Sequence, residues 1–316
     1  MKLAARLLTL LAVGASAALA APPPAPSIDH HQHLLNASMA EAGQQPITAA
    51  RLIAMLDAAG IRRAVVLSNA FRYGDPRLPP DPGEYARVMS ENDWTASEAA
   101  KYPKRLVAYC SFNPLKDYAL GELGRCARAQ RFGRGIKLQF GSSDVDLDDP
   151  IDVAMLRRVF RAANSNRMAI VVHLRTARRH AYGAAQARVV LEELLAAAPD
   201  VRVQIAHLGG GGGGSLDAGA EEMLGVFAAA FTQQDPRVKN LVFDLSGAIG
   251  GEGWPARAPV IAQRIRALGV AHVVYGSDGG DPTDPPAKAV VAAYRQLPLS
   301  KAEFSIIDGN LGPSLK

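Results

Sequence analysis

The sequence predicts a single α/β domain, a (β/α)8 TIM barrel, and three observations predict it. Short runs rich in β-branched residues recur eight times down the chain, each followed by a segment with helical periodicity. The runs are apolar on both faces, as parallel strands buried beneath helices must be. Polar residues gather at the ends of many strands rather than at one crossover. Even alternation repeated eight times favours a closed barrel. The competing arrangement is an open doubly wound sheet, but no G-x-G-x-x-G follows the first strand.

In chain order the strands begin near Ser27 (SIDHHQH), Arg63 (RAVVLSN), Arg105 (RLVAYCSF) and Gly135 (GIKLQF). They continue near Ala169 (AIVVHLR), Val201 (VRVQIAHL), Asn240 (NLVFDLSG) and His272 (HVVYGSD). The helices between them have recognisable ends. Thr48 caps a helix over Ala49–Ala59 that stops at Gly60, with Leu52, Ile53, Met55 and Leu56 on one stripe. Further helices are expected over Pro150–Ala163, Ala184–Ala198, Ala218–Phe231, Ala256–Leu268 and Pro286–Leu297. Ser300 and Glu303 have the spacing of a capping box for a last short helix.

The first 20 residues read as an export signal. Lys2 and Arg6 form a positive start, Leu7 to Leu19 is apolar but short for a membrane span, and Ala18-Leu19-Ala20 offers a cleavage site. Residues 21–26 are a proline-rich spacer, so the domain runs over 27–316. The expected location is periplasmic or secreted, with no membrane association after cleavage. Formal net charge is +5, and the cations are interspersed with Asp and Glu. No basic block supports nucleic-acid binding, and the mild positive balance suits small anionic molecules. Of the two cysteines, Cys110 lies in a strand and Cys126 on the helix packed over it. Packed layers lie about 8–10 Å apart, whereas a disulfide needs Cα atoms within about 7 Å, so two separate buried thiols are expected.

Strand alternation puts Asp29, His31 and His33 on one face of the first strand, and Ile28, His30 and Gln32 on the other. Two histidines on an interior face gain nothing from burial unless a metal offsets their desolvation, with Asp29 supporting them from below. His30 then faces the helices in a structural role. The fifth strand ends at His173, the sixth at His207 and the eighth at Asp278, all at the rim occupied by His33. Imidazoles and a carboxylate converging there suit Zn2+ or another divalent transition metal with a position open for water. His180, on a polar helical stretch, and His272, at the foot of its strand, lie away from this rim. Three loops after strands are long or unusual: Phe71 to Tyr85, Gly141 to Pro150 with four aspartates, and the glycine run Gly209 to Gly214.

I-D-x-H-x-H at Ile28 to His33, G-I-K-L at Gly135 to Leu138, V-V-H ending at His173, A-H-L-G-G at Ala206 to Gly210 and G-S-D at Gly276 to Asp278 together resemble the amidohydrolase superfamily. The resemblance extends to Asn310 and is nearest to the amidohydrolase 2 branch, which includes decarboxylases related to the aminocarboxymuconate-semialdehyde enzyme. It implies that His31, His33, His173 and Asp278 ligate a metal; one ion is favoured over two, and both counts stay open. It also implies that His207 is a second-metal ligand or polarises the substrate. Lys137, inward with Gln139, corresponds to a position that carries a carboxylated lysine in some binuclear members; the other reading is a free lysine touching substrate or Asp278, and Gln139 is likewise a candidate substrate contact.

A bound metal lowers the pKa of its water toward about 7. Asp278 is placed to handle the proton, and His207 to stabilise charge on a substrate oxygen. Arg175, two residues beyond His173, is a candidate grip for a substrate carboxylate, or else a surface arginine. Asn69, Arg72, Tyr73, Asn113 and Ser246 are further pocket candidates. The expected function is hydrolysis of a carboxylic ester, lactone or amide in a small molecule. A metal-dependent decarboxylase or related lyase of the same branch is the alternative, and a non-catalytic periplasmic metal- or ligand-binding protein is the third reading. A homo-oligomer is left open.

Overall fold

A computed structural model describes residues 25–212, 217–251, 253–280 and 285–310. The leader at 1–20, most of the spacer, and Gly213 and Gly214 of the glycine run lie outside the described residues. Eight strands form one parallel sheet in sequence order: β1 (Ile28–Gln32), β2 (Arg63–Leu67), β3 (Leu106–Ser111), β4 (Gly135–Gln139), β5 (Ala169–His173), β6 (Val203–Ile205), β7 (Leu241–Asp244) and β8 (Val273–Val274). Backbone bonds between β1 and the segment after β8 close the ring: His30 N–H to Tyr275 O at 3.0 Å, Asp278 N–H to His31 O at 2.9 Å and His33 N–H to Gly279 O at 2.7 Å. The expected (β/α)8 barrel is the observed fold.

The outer layer contains α1 (Ala49–Ala59), α2 (Glu84–Ala100), α3 (Ala119–Arg128), a single turn α4 (Phe140–Ser143), α5 (Pro150–Ser165), α6 (Ala184–Val189), α7 (Ala218–Thr232), α8 (Ala258–Leu268), α9 (Ala287–Tyr294) and α10 (Lys301–Gly309). The Thr48 cap, the left-handed Gly60 stop and the Ser300–Glu303 capping box form as expected. α6 continues as a π-helical stretch, Val190–Leu195. α2 begins at the end of the proline-rich Phe71–Tyr85 segment and is a helix that sequence periodicity did not reveal.

Two apolar layers hold the molecule. The larger lies between strands and helices, and includes Leu52, Val66, Leu138, Phe160, Phe227 and Phe243. The smaller fills the lower barrel with Ile28, Val65, Leu67, Tyr109, Ala169 and Val171. Tyr109 fits there because β4 offers Gly135; a Cβ at that position would lie 2.2 Å from the ring. This plug leaves the upper barrel to polar residues. Among the described residues, no helix is long and apolar enough to cross a membrane.

The two cysteines are not separate thiols. Cys110 on β3 and Cys126 on α3 form a disulfide with Cα atoms 6.4 Å apart. Layer spacing is measured from the helix axis, and a Cα on the facing side of a helix lies about 2.3 Å nearer the sheet. With two small side chains at the contact, that difference brings the pair within reach. His180 is also placed differently from the expectation. It lies in the turn following β5, not on a helix, between Asp144 and Asp146 at 3.0 and 3.2 Å.

Candidate metal centre

The first strand does not alternate strictly. Its ladder with β2 is irregular between Asp29 and Gln32, so three steps on β1 match two on β2. Such a bulge moves side chains to the opposite face beyond it. Ile28 therefore packs in the lower barrel interior, while His31, three residues on, also reaches the interior cluster. Asp29 touches no histidine ring and holds His31 through its backbone, Oδ1 accepting from the His31 N–H at 3.1 Å. Its carboxylate accepts from Gln32 Nε2 at 2.8 Å, Ser277 Oγ at 2.6 Å and the Ser277 N–H at 3.1 Å. Burial raises its carboxyl to about 6 despite those bonds. His30 is buried and its ring meets the Asn310 carbonyl, which is a structural role.

His31 is fully buried. Its Nδ1 lies 2.9 Å from Asp244 Oδ2 and 3.0 Å from Ser246 Oγ, and its Nε2 lies 3.2 Å from Asp278 Oδ1. His33 follows the strand, with Nδ1 donating to Leu67 O at 2.7 Å and Nε2 lying 3.3 Å from His31 Nε2. Room for this residue comes from Gly280, at φ 155°, where a Cβ would stand 2.3 Å from that of His33. Asp278 itself is left-handed at φ 60°. Its N–H bonds the His31 carbonyl, and its carboxylate also lies 3.7 Å from His33 Nε2 and 3.8 Å from His207 Nδ1.

His207 and Leu208 are both left-handed, at φ 58° and 52°. Two such non-glycine residues in succession are strained, and strain of this kind gathers at functional sites. The turn brings the His207 ring to 5.0 Å from that of His31 and 4.8 Å from that of His173. Lys137, on β4 and buried, places Nζ 3.2 Å from His31 Nε2. The structure thus brings His31, His33, His173, His207, Asp278 and Lys137 together. It does not bring Gln139 or Arg175 to the cluster as free groups. Gln139 caps α4 through Ser142 N–H. Arg175 pairs with Asp217, at 2.6 Å, and lies over the Tyr182 ring. Asn69 bonds Leu34 O and Asn113 bonds Gly74 O, both holding loops.

Sequence reasoning missed Asp244, which accepts from His31, Gln204, Ser246 and the His207 backbone. The signal was present: a carboxylate closing an apolar strand, the same pattern that marked His173 and His207.

Electrostatics follow from burial. Desolvation lowers the pKa values of His31, His33 and His173 and so favours their neutral rings, against the pull of the neighbouring carboxylates. Burial lowers Lys137 to about 8, against the opposing pull of Asp278 and Asp244. For Asp278, burial raises the carboxyl, but His207, His31, His33 and Lys137 together outweigh it and keep the group ionised. The donor set fits a divalent cation. With Nδ1 of His31 and His33 committed to oxygen acceptors, their Nε2 lone pairs face each other. One donor atom each from His31, His207 and Asp278 also lies within 4.8 Å of the others. Mixed imidazole and carboxylate donors suit a borderline transition ion.

A family model described as Amidohydrolase matches residues 28–304. No curated protein matches the sequence. The fold is similar to that of a 2,6-dihydroxybenzoate decarboxylase from Rhizobium, at TM-score 0.63 and 15% identity over 90% of this chain and 96% of that one. It is also similar to a 5-carboxyvanillate decarboxylase from Novosphingobium aromaticivorans complexed with manganese and 4-hydroxy-3-methoxy-5-nitrobenzoic acid, at TM-score 0.58 and 15% identity over 90% and 94%. A probable 2-pyrone-4,6-dicarboxylic acid hydrolase from Acinetobacter baumannii with citric acid bound matches at TM-score 0.57 and 18% identity over 89% and 96%.

Proposed function

This chain belongs to the amidohydrolase family, and from that premise we propose that it is a divalent-metal-dependent decarboxylase of a small hydroxylated aromatic or enolic acid. The observation that carries the proposal is the charge of the site floor. Lys137 is a buried ammonium beside the His31 ring, and among the described residues Asp278 and Asp244 are the carboxylates that oppose it. Adding a divalent ion leaves an excess of positive charge that an anionic carboxylate would neutralise. Two of the similar structures are decarboxylases of aromatic carboxylic acids, which supports the choice of bond.

His31, His33, His173, His207 and Asp278 would hold one ion between them, zinc or manganese being candidates. Such an ion polarises a substrate oxygen or carboxylate bound to it. Lys137 would orient the substrate carboxylate through a charge-assisted hydrogen bond. Asp278, ionised and 29% exposed at the rim, takes a proton from the hydroxyl beside the carboxylate. As the C–COO⁻ bond opens and carbon dioxide leaves, its electron pair stays on carbon and Asp278 returns the proton there.

A second reading, hydrolysis of a lactone or ester, is favoured by the same ionised Asp278, which suits a base acting on water, and by the similar pyrone hydrolase. Metal-loaded protein should be offered hydroxybenzoates and lactones while carbon dioxide and titratable acid are followed. Carbon dioxide release, with solvent deuterium appearing at the carbon that lost it, is expected. Acid release from lactones without carbon dioxide would establish the hydrolytic reading instead.

We also propose export to an oxidising compartment; the Cys110–Cys126 bond supports it, since such bonds persist there and are rare in the cytosol.

A further inference from the structure

We infer that Asp244 is a positioning residue that fixes the tautomer of His31 and the turn carrying His207 at the same time. The inference rests on the metal-centre reading above for its functional meaning, but its geometry stands alone. Asp244 is fully buried at the end of β7 and its two oxygens divide their partners. Oδ2 accepts from His31 Nδ1 at 2.9 Å and Gln204 Nε2 at 2.7 Å. Oδ1 accepts from the His207 N–H at 3.0 Å, the Ser246 N–H at 3.1 Å and the Ser246 hydroxyl at 2.5 Å.

Donor and acceptor chemistry decides the rest. A carboxylate only accepts, so His31 must carry its proton on Nδ1 and present the Nε2 lone pair to His33 and Asp278. Ser246 spends its one hydroxyl proton on Asp244. Its oxygen can then only accept, and it lies 3.0 Å from His31 Nδ1 and 2.9 Å from His207 Nδ1. The His207 Nδ1 also lies 2.8 Å from the Ser246 carbonyl. Asp244 therefore sets the proton position on His31 directly, while on His207 the Ser246 carbonyl oxygen sets it, with the Ser246 hydroxyl oxygen beside it. Its bond to the His207 N–H also holds the left-handed turn that aims this ring at the cluster.

Asp244→Asn is nearly isosteric but reverses one half of this pattern. An amide nitrogen facing His31 would put donor against donor. Relief comes when His31 moves its proton to Nε2, the atom that faces the ion. The expected result is metal binding weaker by about 10–100-fold in a competition titration with a chromophoric chelator, with the circular dichroism spectrum retained. Histidine-labelled protein, metal-free, reads the cause directly. Nitrogen-15 NMR should show wild-type His31 as the Nδ1–H tautomer and the variant as Nε2–H. An Nε2–H tautomer in wild type overturns the inference even if the variant fails to fold. So does a variant that keeps the Nδ1–H form and binds the ion within about twofold of wild type. Wild-type protein that binds no ion would instead defeat the functional reading, and the NMR result would still judge Asp244.

Discussion

Asp278 and Asp244 are both carboxylates beside His31, yet they do different work because only Asp278 reaches the rim. Asp278→Asn keeps the shape and tolerates the left-handed backbone, since Asn is enriched at positive φ. It removes the proton-accepting oxygen, so turnover should fall by about 10²–10⁴-fold, while metal content measured on the same sample falls far less. Equal loss of both would make Asp278 a ligand only. Glu91 offers a test of pH dependence away from the chemistry. Buried beneath Asn36 and Thr95, its carboxyl is raised by desolvation to about 7. Between the ordinary value and 7 the folded state binds more protons than the unfolded one, so stability falls as pH rises through that window. The full cost, about 3 kcal/mol, is present above it. Glu91→Gln should therefore raise Tm by several degrees at pH 8 and much less at pH 5, which thermal melts at the two pH values will check. At this scale His173, His207 and Asp278 were legible because each follows an apolar run at a strand end, and His31 and His33 because they stand two residues apart at the end of the first strand. The role given to Asp29 was misread because period-two reasoning has no signal for the bulge in β1.

Strands were the most legible elements, since β-branched runs flanked by helices leave little else for them to be. α2 was hidden by its own buried face. That face mixes Glu91, Asn92, Thr95 and Glu98 with the small apolar residues Val88, Ala96 and Ala99, so its apolar periodicity is diluted and reads as solvent. The link between β3 and α3 has a consequence of its own. A disulfide spanning 16 residues removes enough freedom from the unfolded chain to stabilise the fold by about 3 kcal/mol. Melting with and without a phosphine reductant should show a Tm several degrees lower in the reduced protein. A Cys110→Ala/Cys126→Ala variant should melt at the lower temperature in both. Identical melting of oxidised and reduced wild type would remove the bond from the stability argument.

Across the whole molecule, the barrel draws its cluster from six strands: β1 supplies His31 and leads into His33, and β4, β5, β6, β7 and β8 contribute or lead into Lys137, His173, His207, Asp244 and Asp278. All converge at the end where strands run into loops, the active-site face of such barrels, while Tyr109 and its neighbours seal the other end. No short segment contains this site; it exists only when the ring closes, which is why the sequence showed its members but not their contacts. Metal occupancy tests whether this ring holds a single ion. Elemental analysis of protein purified from metal-supplemented medium should find one divalent ion per chain in wild type and essentially none in folded His31→Ala. A wild type with no bound ion, or a His31→Ala variant with undiminished occupancy, would contradict it.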